Sequence, residues 1–136
     1  MEREKMDAAL KEHVIPVLRS LGFKGSVPHF RRNTGQQIDL LTFQFDRYGG
    51  AFVVEVAVCP IEGITTHWGK QIPPTTVAAS NVHPNERVRL GAPEGEDHWF
   101  RYDDKGDSAT RFADTAREVL PHLSIQATEH WARGLR

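Results

Sequence analysis

The chain has one cysteine, Cys59, among 136 residues. That excludes an internal disulfide and fits a reducing compartment. It has no run of lysine and arginine, and its 17 basic residues are offset by 18 acidic ones for a net charge of −1. The electrostatic footprint that phosphate backbones demand is missing, so nucleic acid is not an expected partner. No apolar run approaches the ~20 residues needed to span a bilayer. The opening MEREKMDAALKEH is charged where a signal peptide would be apolar. A cytoplasmic protein with no membrane contact is the expectation. The usual marks of chemistry are also absent. There are 7 histidines, yet no HxH, HExxH or CxxC spacing, so neither a metal nor another cofactor is expected. There is no GxSxG elbow, and Gly49-Gly50 lies between two strands, not between a strand and a helix as a phosphate loop requires.

What is present is ordinary for a folded protein. With 39% hydrophobic and 26% charged residues, the composition argues against wholesale disorder. A chain of this length is expected to form a single domain, residues 1–136, that buries roughly two-thirds of its unfolded surface.

The clearest pattern runs from Gln37 to Val58, QIDLLTFQFDRYGGAFVVEVAV. In its second half Phe52, Val54, Val56 and Val58 alternate with Ala51, Val53, Glu55 and Ala57, the period of a pleated strand. In its first half Leu41, Phe43 and Phe45 share one face, and Ile38, Leu40, Thr42 and Gln44 the other. Asp46 to Gly50 supplies a turn, with glycines free to take positive φ. A β-hairpin follows, and matching its apolar faces sets Phe43 across from Phe52 and Leu41 across from Val54. The opposite face is mixed.

Around this hairpin the pattern predicts an α+β fold. Met6, Leu10, Val14, Val17, Leu18 and Leu21 recur at helical spacing from about Glu2 to Leu21. Pro16 demands a kink or two short helices, and Gly22 is the C-terminal cap. Residues Lys24 to Asn33 lead into a first strand, giving a three-stranded antiparallel meander over 27–58. From Pro60 to Asn85 no apolar period survives and a long loop is expected. Short strands return near 87–90 and 98–102, for about five strands in all. Ser108 can cap a helix bearing Phe112, Ala116, Val119, Leu120 and Leu123. Pro121 is expected to end or bend it, before a last segment with Ile125, Trp131 and Leu135 as its apolar side. The N-terminal helix and the C-terminal helical pair should cover the face of Phe43, Phe52, Val54 and Val56.

Taken together, LRSLGFKG after a proline-bearing helix, PHFRRN, the hairpin, RVRLG, EDHWF and a terminal helix interrupted at Leu120-Pro121 resemble the bacterial domain-of-unknown-function family 4304. The likeness spans nearly the whole chain and is weakest over Ile61 to Val82. It implies a small α+β domain with an antiparallel sheet, and implies no activity.

Two sets of residues are candidates for function. Arg87 and Arg89 sit two apart on a strand, so both forks project from one face, a geometry suited to carboxylate or phosphate. Glu55 is the lone charge in the run from Ala51 to Val58 and must be paired, solvated or neutralised. With Gln44 and His98 these residues could line a pocket for a small anionic ligand, as a binding protein or an enzyme. The structural alternative is that the arginines pair with Glu55 or with acids of the neighbouring loop. The second set is Trp68, in the loop, and Trp99, where the loop from Gly91 to His98 meets the last strand. Either could anchor its segment to the body or form an interaction surface. Without a catalytic motif, the leading expectation is a non-catalytic module that binds a protein partner or a second copy of itself.

Overall fold

In the computed structural model, which describes residues 2–93 and 95–135, the alternating stretch from Ile38 to Cys59 forms the two longest strands of the sheet. In chain order the strands are β1 (Lys24–Ser26), β2 (His29–Asn33), β3 (Ile38–Phe45), β4 (Ala51–Cys59), β5 (Ile64–Thr65), β6 (Gln71–Ile72), β7 (Val88–Arg89) and β8 (Phe100–Arg101). The main sheet has six strands, ordered β1-β2-β3-β4-β7 with β8 also on β4, and each pairing is antiparallel. β5 and β6 form a separate hairpin. The helices are α1 (Glu2–His13), α2 (Ile15–Ser20), α3 (Arg111–His122) and α4 (Thr128–Arg133). The α+β class and the antiparallel sheet with terminal helices agree with the sequence.

The central hairpin brings the apolar faces together, but its register differs from the one expected. Phe43 lies opposite Val54, Leu41 opposite Val56 and Phe45 opposite Phe52. The strands run closer to the turn because Asp46 N donates to Ala51 O at 2.9 Å and Gly49 N to Asp46 O at 2.9 Å. Gly49 and Gly50 close the loop at φ of +87° and +88°, values that glycine adopts without steric cost. A shift of this parity leaves every side chain on its expected face. The first strand is also corrected. The chain reverses at Val27-Pro28, so β1 folds back on β2 with Ser26 opposite His29. Pro28 has no N–H for a ladder and belongs at a break, not in a continuous strand.

One face of the sheet carries the main core. Leu41, Phe43, Phe52, Val54 and Val56 pack beneath Met6, Leu10, Val14 and Leu18 from the N-terminal helices and Phe112, Ala116, Val119 and Trp131 from the C-terminal ones. Pro16 falls in the first turn of α2, where its missing N–H costs little, and the helix breaks just before it. Pro121 neither ends the helix nor leaves it regular. The chain continues to His122 and then opens into a π-helical turn, Leu123–Ala127, before α4. Proline crowds the carbonyl one turn back, and a wider turn follows it. The extra residue changes the phase of the apolar stripe: Trp131 is buried, whereas Ile125 is 62% exposed. Leu135, expected on the same stripe, lies beyond the end of α4 at Arg133 and is 45% exposed.

The second face departs most from expectation. Residues 60–85 are not structureless: they form the β5–β6 hairpin and two short 3-10 turns, Ala79–Asn81 and Pro84–Glu86. Val77, Ala79 and Val82 pack on Ile38, Leu40, Ala57 and Cys59, making a second small core. Arg31 pins this cover by donating from Nε to Val77 O at 3.0 Å. Burial here, with the Asp39 charge as a smaller cause, pushes the Cys59 thiol up to about 11. The shift from 9.0 leaves about a hundredfold less thiolate than a free thiol has. Iodoacetamide at pH 8 should therefore modify Cys59 at least tenfold more slowly in the native protein than in 6 M guanidinium, a difference that mass spectrometry can follow. Equal rates would show that the cover opens readily.

No helix among the described residues is long and apolar enough to cross a membrane.

Candidate functional site

The open part of the second face lies where β7 joins β4. Glu55 pairs with Arg89 in register, so Glu55, Arg87 and Arg89 project on the same side while Val88 and Leu90 enter the main core. Arg87 Nη1 lies 3.4 and 3.2 Å from the two oxygens of Glu55, and Arg89 Nε donates to Glu55 Oε2 at 3.4 Å. Arg87 is fixed further by donating from Nε to Val82 O at 2.8 Å. Arg89 Nη2 reaches Gln44 Oε1 at 3.5 Å. Four predicted residues, Gln44, Glu55, Arg87 and Arg89, are thus brought together.

A fifth member is one acid of the neighbouring loop. Asp97 accepts from Arg89 Nη1 at 2.8 Å, and its side chain is 60% exposed. It comes from an irregular loop with no periodicity, although acids in that loop were one alternative for pairing the arginines. A cleft of about 630 Å³ opens here, lined by Glu55, Pro84, Asn85, Arg87, Arg89, Gly95, Glu96 and Asp97. Both oxygens of Glu55 face guanidinium groups. In this arrangement the arginines take the structural pairing, and their remaining capacity faces Asp97 and the cleft.

His98 does not join them. Its ring meets Phe100 edge-on at 4.8 Å and lies 6.1 Å from the ring of His122. Phe100 is part of the main core, and residues two apart on an extended chain share a face. His98 therefore belongs to the helix-covered side and cannot line the cleft with Glu55. Trp99 is half-buried and belongs to neither apolar cluster. Trp68 is 67% exposed, at the tip of the β5–β6 hairpin, where its ring contacts His67 edge-on at 4.7 Å. It does not plug the body. Beside it is a second cleft of about 670 Å³, whose lining includes Ile64, Thr66, His67, Trp68, Val82, His83 and Leu135. Among the described residues, no three His, Cys, Asp or Glu side chains are grouped to hold a metal ion.

Sequence reasoning missed one charged cluster altogether. Buried Asp39 accepts from Arg32 Nε and Nη2 at 2.9 and 2.7 Å, and from Gln37 Nε2 at 2.6 Å. Arg32 also donates to Leu21 O at 2.9 Å and lies over the rings of Phe23 and Trp131. Gln37 Nε2 reaches Trp131 O at 2.9 Å. The signal was present, since Asp39 is a lone acid within an apolar run just as Glu55 is. This cluster ties α2, the β2–β3 hairpin and α4 together.

The fold and this geometry define a small α+β domain: an antiparallel sheet with helices on one face, and on the other a short second core beside an arginine–carboxylate cluster. Residues 14–128 match the model of the family described as Domain of unknown function (DUF4304). The chain belongs to that family. No curated protein and no solved structure matches it.

Proposed function

We propose that the protein is a non-catalytic interaction module of the bacterial cytoplasm that binds a protein partner through the Trp68 hairpin. The observation that carries this reading is the 67% exposure of Trp68 at the tip of a two-stranded hairpin beside the larger of the two clefts. An indole held out in water costs solvation and gains nothing for this fold, while tryptophan is strongly enriched among residues that dominate interfaces. The mixed lining of that cleft, apolar at Ile64, Val82 and Leu135 and polar at Thr66 and His83, suits a protein segment with an apolar anchor and a polar rim. The lone buried thiol and the balanced charge fit a cytoplasmic setting.

The test compares the wild type with Trp68→Ala. Light scattering after size exclusion reports self-association, and affinity capture from the source cell's lysate reports a heterologous partner. Losing an interface anchor weakens binding by at least ~2 kcal/mol, roughly thirtyfold, whereas an exposed side chain changes stability by no more than about 0.5 kcal/mol. The expected result is one defined partner, or a dimer, lost in the variant at unchanged melting temperature. A monomer that captures nothing reproducibly, or a Trp68→Ala protein that binds as well as the wild type, would overturn the reading.

A further inference from the structure

The arginine–carboxylate cluster is unevenly balanced. Its inner part is Glu55, Arg87 and Arg89, two cations around one buried carboxylate. The balancing charge comes from Asp97, which is mostly exposed and belongs to the loop after Gly91. That loop is tied down at its root. Gln126, from the π-helical turn, accepts from Gly91 N and donates to Ala92 O, each at 2.8 Å. Asp97 reaches Arg89 several residues beyond this anchor. Its side chain is 60% exposed against 24% for Arg89, so the contact lies at the solvent-facing edge of the cluster, where an outside carboxylate would also arrive.

We infer that Arg89 is an exchangeable anion seat. A small carboxylate displaces Asp97 from Nη1, and Asp97 is the internal anion that fills the seat when no ligand is bound. Exchange of one carboxylate for another keeps the charge balance of the buried triad, so the swap leaves no uncompensated cation behind. Nearby Glu96 and the released Asp97 remain in the cleft wall and disfavour ligands of high negative charge. Asn85 in the same wall offers a polar partner for the ligand's body. The chemistry selected is that of a small monocarboxylate with a polar group. This site is separate from the Trp68 surface, and no protein partner is needed to observe it.

The experiment titrates acetate and lactate into the labelled protein at constant ionic strength, with chloride as the control, and follows the Arg89 Nε–H and Asp97 backbone resonances by NMR. The variant is Asp97→Asn, which removes the internal competitor from an exposed loop. An internal ligand that occupies its seat nine-tenths of the time weakens an external one about tenfold. The expected result is therefore about tenfold tighter carboxylate binding by Asp97→Asn, with lactate ahead of acetate. In the wild type, Arg89 and Asp97 resonances should move together on titration. Adding Arg89→Lys to Asp97→Asn keeps the charge but removes the fork, and should reverse the gain. Carboxylate binding that is no tighter in Asp97→Asn than in the wild type would overturn the inference. Binding that survives Arg89→Lys unchanged would do the same. Neither result bears on capture through Trp68.

Discussion

Val54→Asp is expected to abolish folding. Val54 is fully buried in the main core opposite Phe43, and its carbonyl accepts from Leu90 N at 2.9 Å. It sits where the hairpin, the helical layer and the short strand β7 meet. Removing the valine forfeits about 1.5–3 kcal/mol of burial. Placing a carboxylate in the same space adds several kcal/mol, whether it remains ionised or takes up a proton to avoid it. The sum, about 5–10 kcal/mol, reaches the lower half of the ~5–15 kcal/mol that holds a domain together. Val54→Ala separates loss of packing from burial of charge and should cost only about 2 kcal/mol. Far-UV circular dichroism and urea titration give the answer. A Val54→Asp protein with a sharp thermal transition would mean that this face is not the one that drives folding.

How far the sequence carried depended on whether local pattern or distant contact sets the structure. The hairpin was legible because period-2 alternation needs no knowledge of the rest of the chain. Its register was set by where the turn closes, and a run that is apolar up to Phe45 does not show whether the strand stops at Phe43 or continues. Residues 60–85 were illegible for a different reason. Val77, Ala79 and Val82 have no periodicity of their own, and their burial is decided by Ile38, Leu40, Ala57 and Cys59, far away in the chain. The face judged mixed from its residues is thus partly a core whose other half comes from a segment read as loop. After Pro121 one extra residue in a π turn was enough to send Ile125 into solvent.

The site followed the same division. Strand parity and one misplaced acid led to Glu55, Arg87 and Arg89, and parity added Gln44. The same parity argument applied to His98 would have removed it, because a residue two before a buried phenylalanine shares its face. Asp97 was legible only as one of several acids in the neighbouring loop, since a loop residue has no period to single it out. Asp39 was within reach of the same reasoning as Glu55, and the partner it needed was Arg32, directly across the strand pair.

That pair gives the second large effect. Asp39→Ala is expected to destabilise the protein by ~3–5 kcal/mol, because breaking a buried ion pair leaves the other charge without compensation. Arg32 would keep Leu21 O and its ring contacts but lose both bonds to the carboxylate. Gln37 would lose one of the two acceptors through which it joins the sheet to Trp131. For a chain of this length the loss corresponds to roughly 10–20 °C in melting temperature. Replacing both partners should cost less than the sum of the single changes, so the double variant Arg32→Met with Asp39→Ala recovers part of the loss. A second readout is independent of melting. The Asp39 charge is one cause of the raised Cys59 thiol, so its removal lets the thiol ionise at lower pH and speeds alkylation of the folded protein, provided the rate is taken well below the new transition. A loss under about 1 kcal/mol, typical of an exposed pair, would show that water already screens this bridge and that α4 is held by Trp131 packing alone.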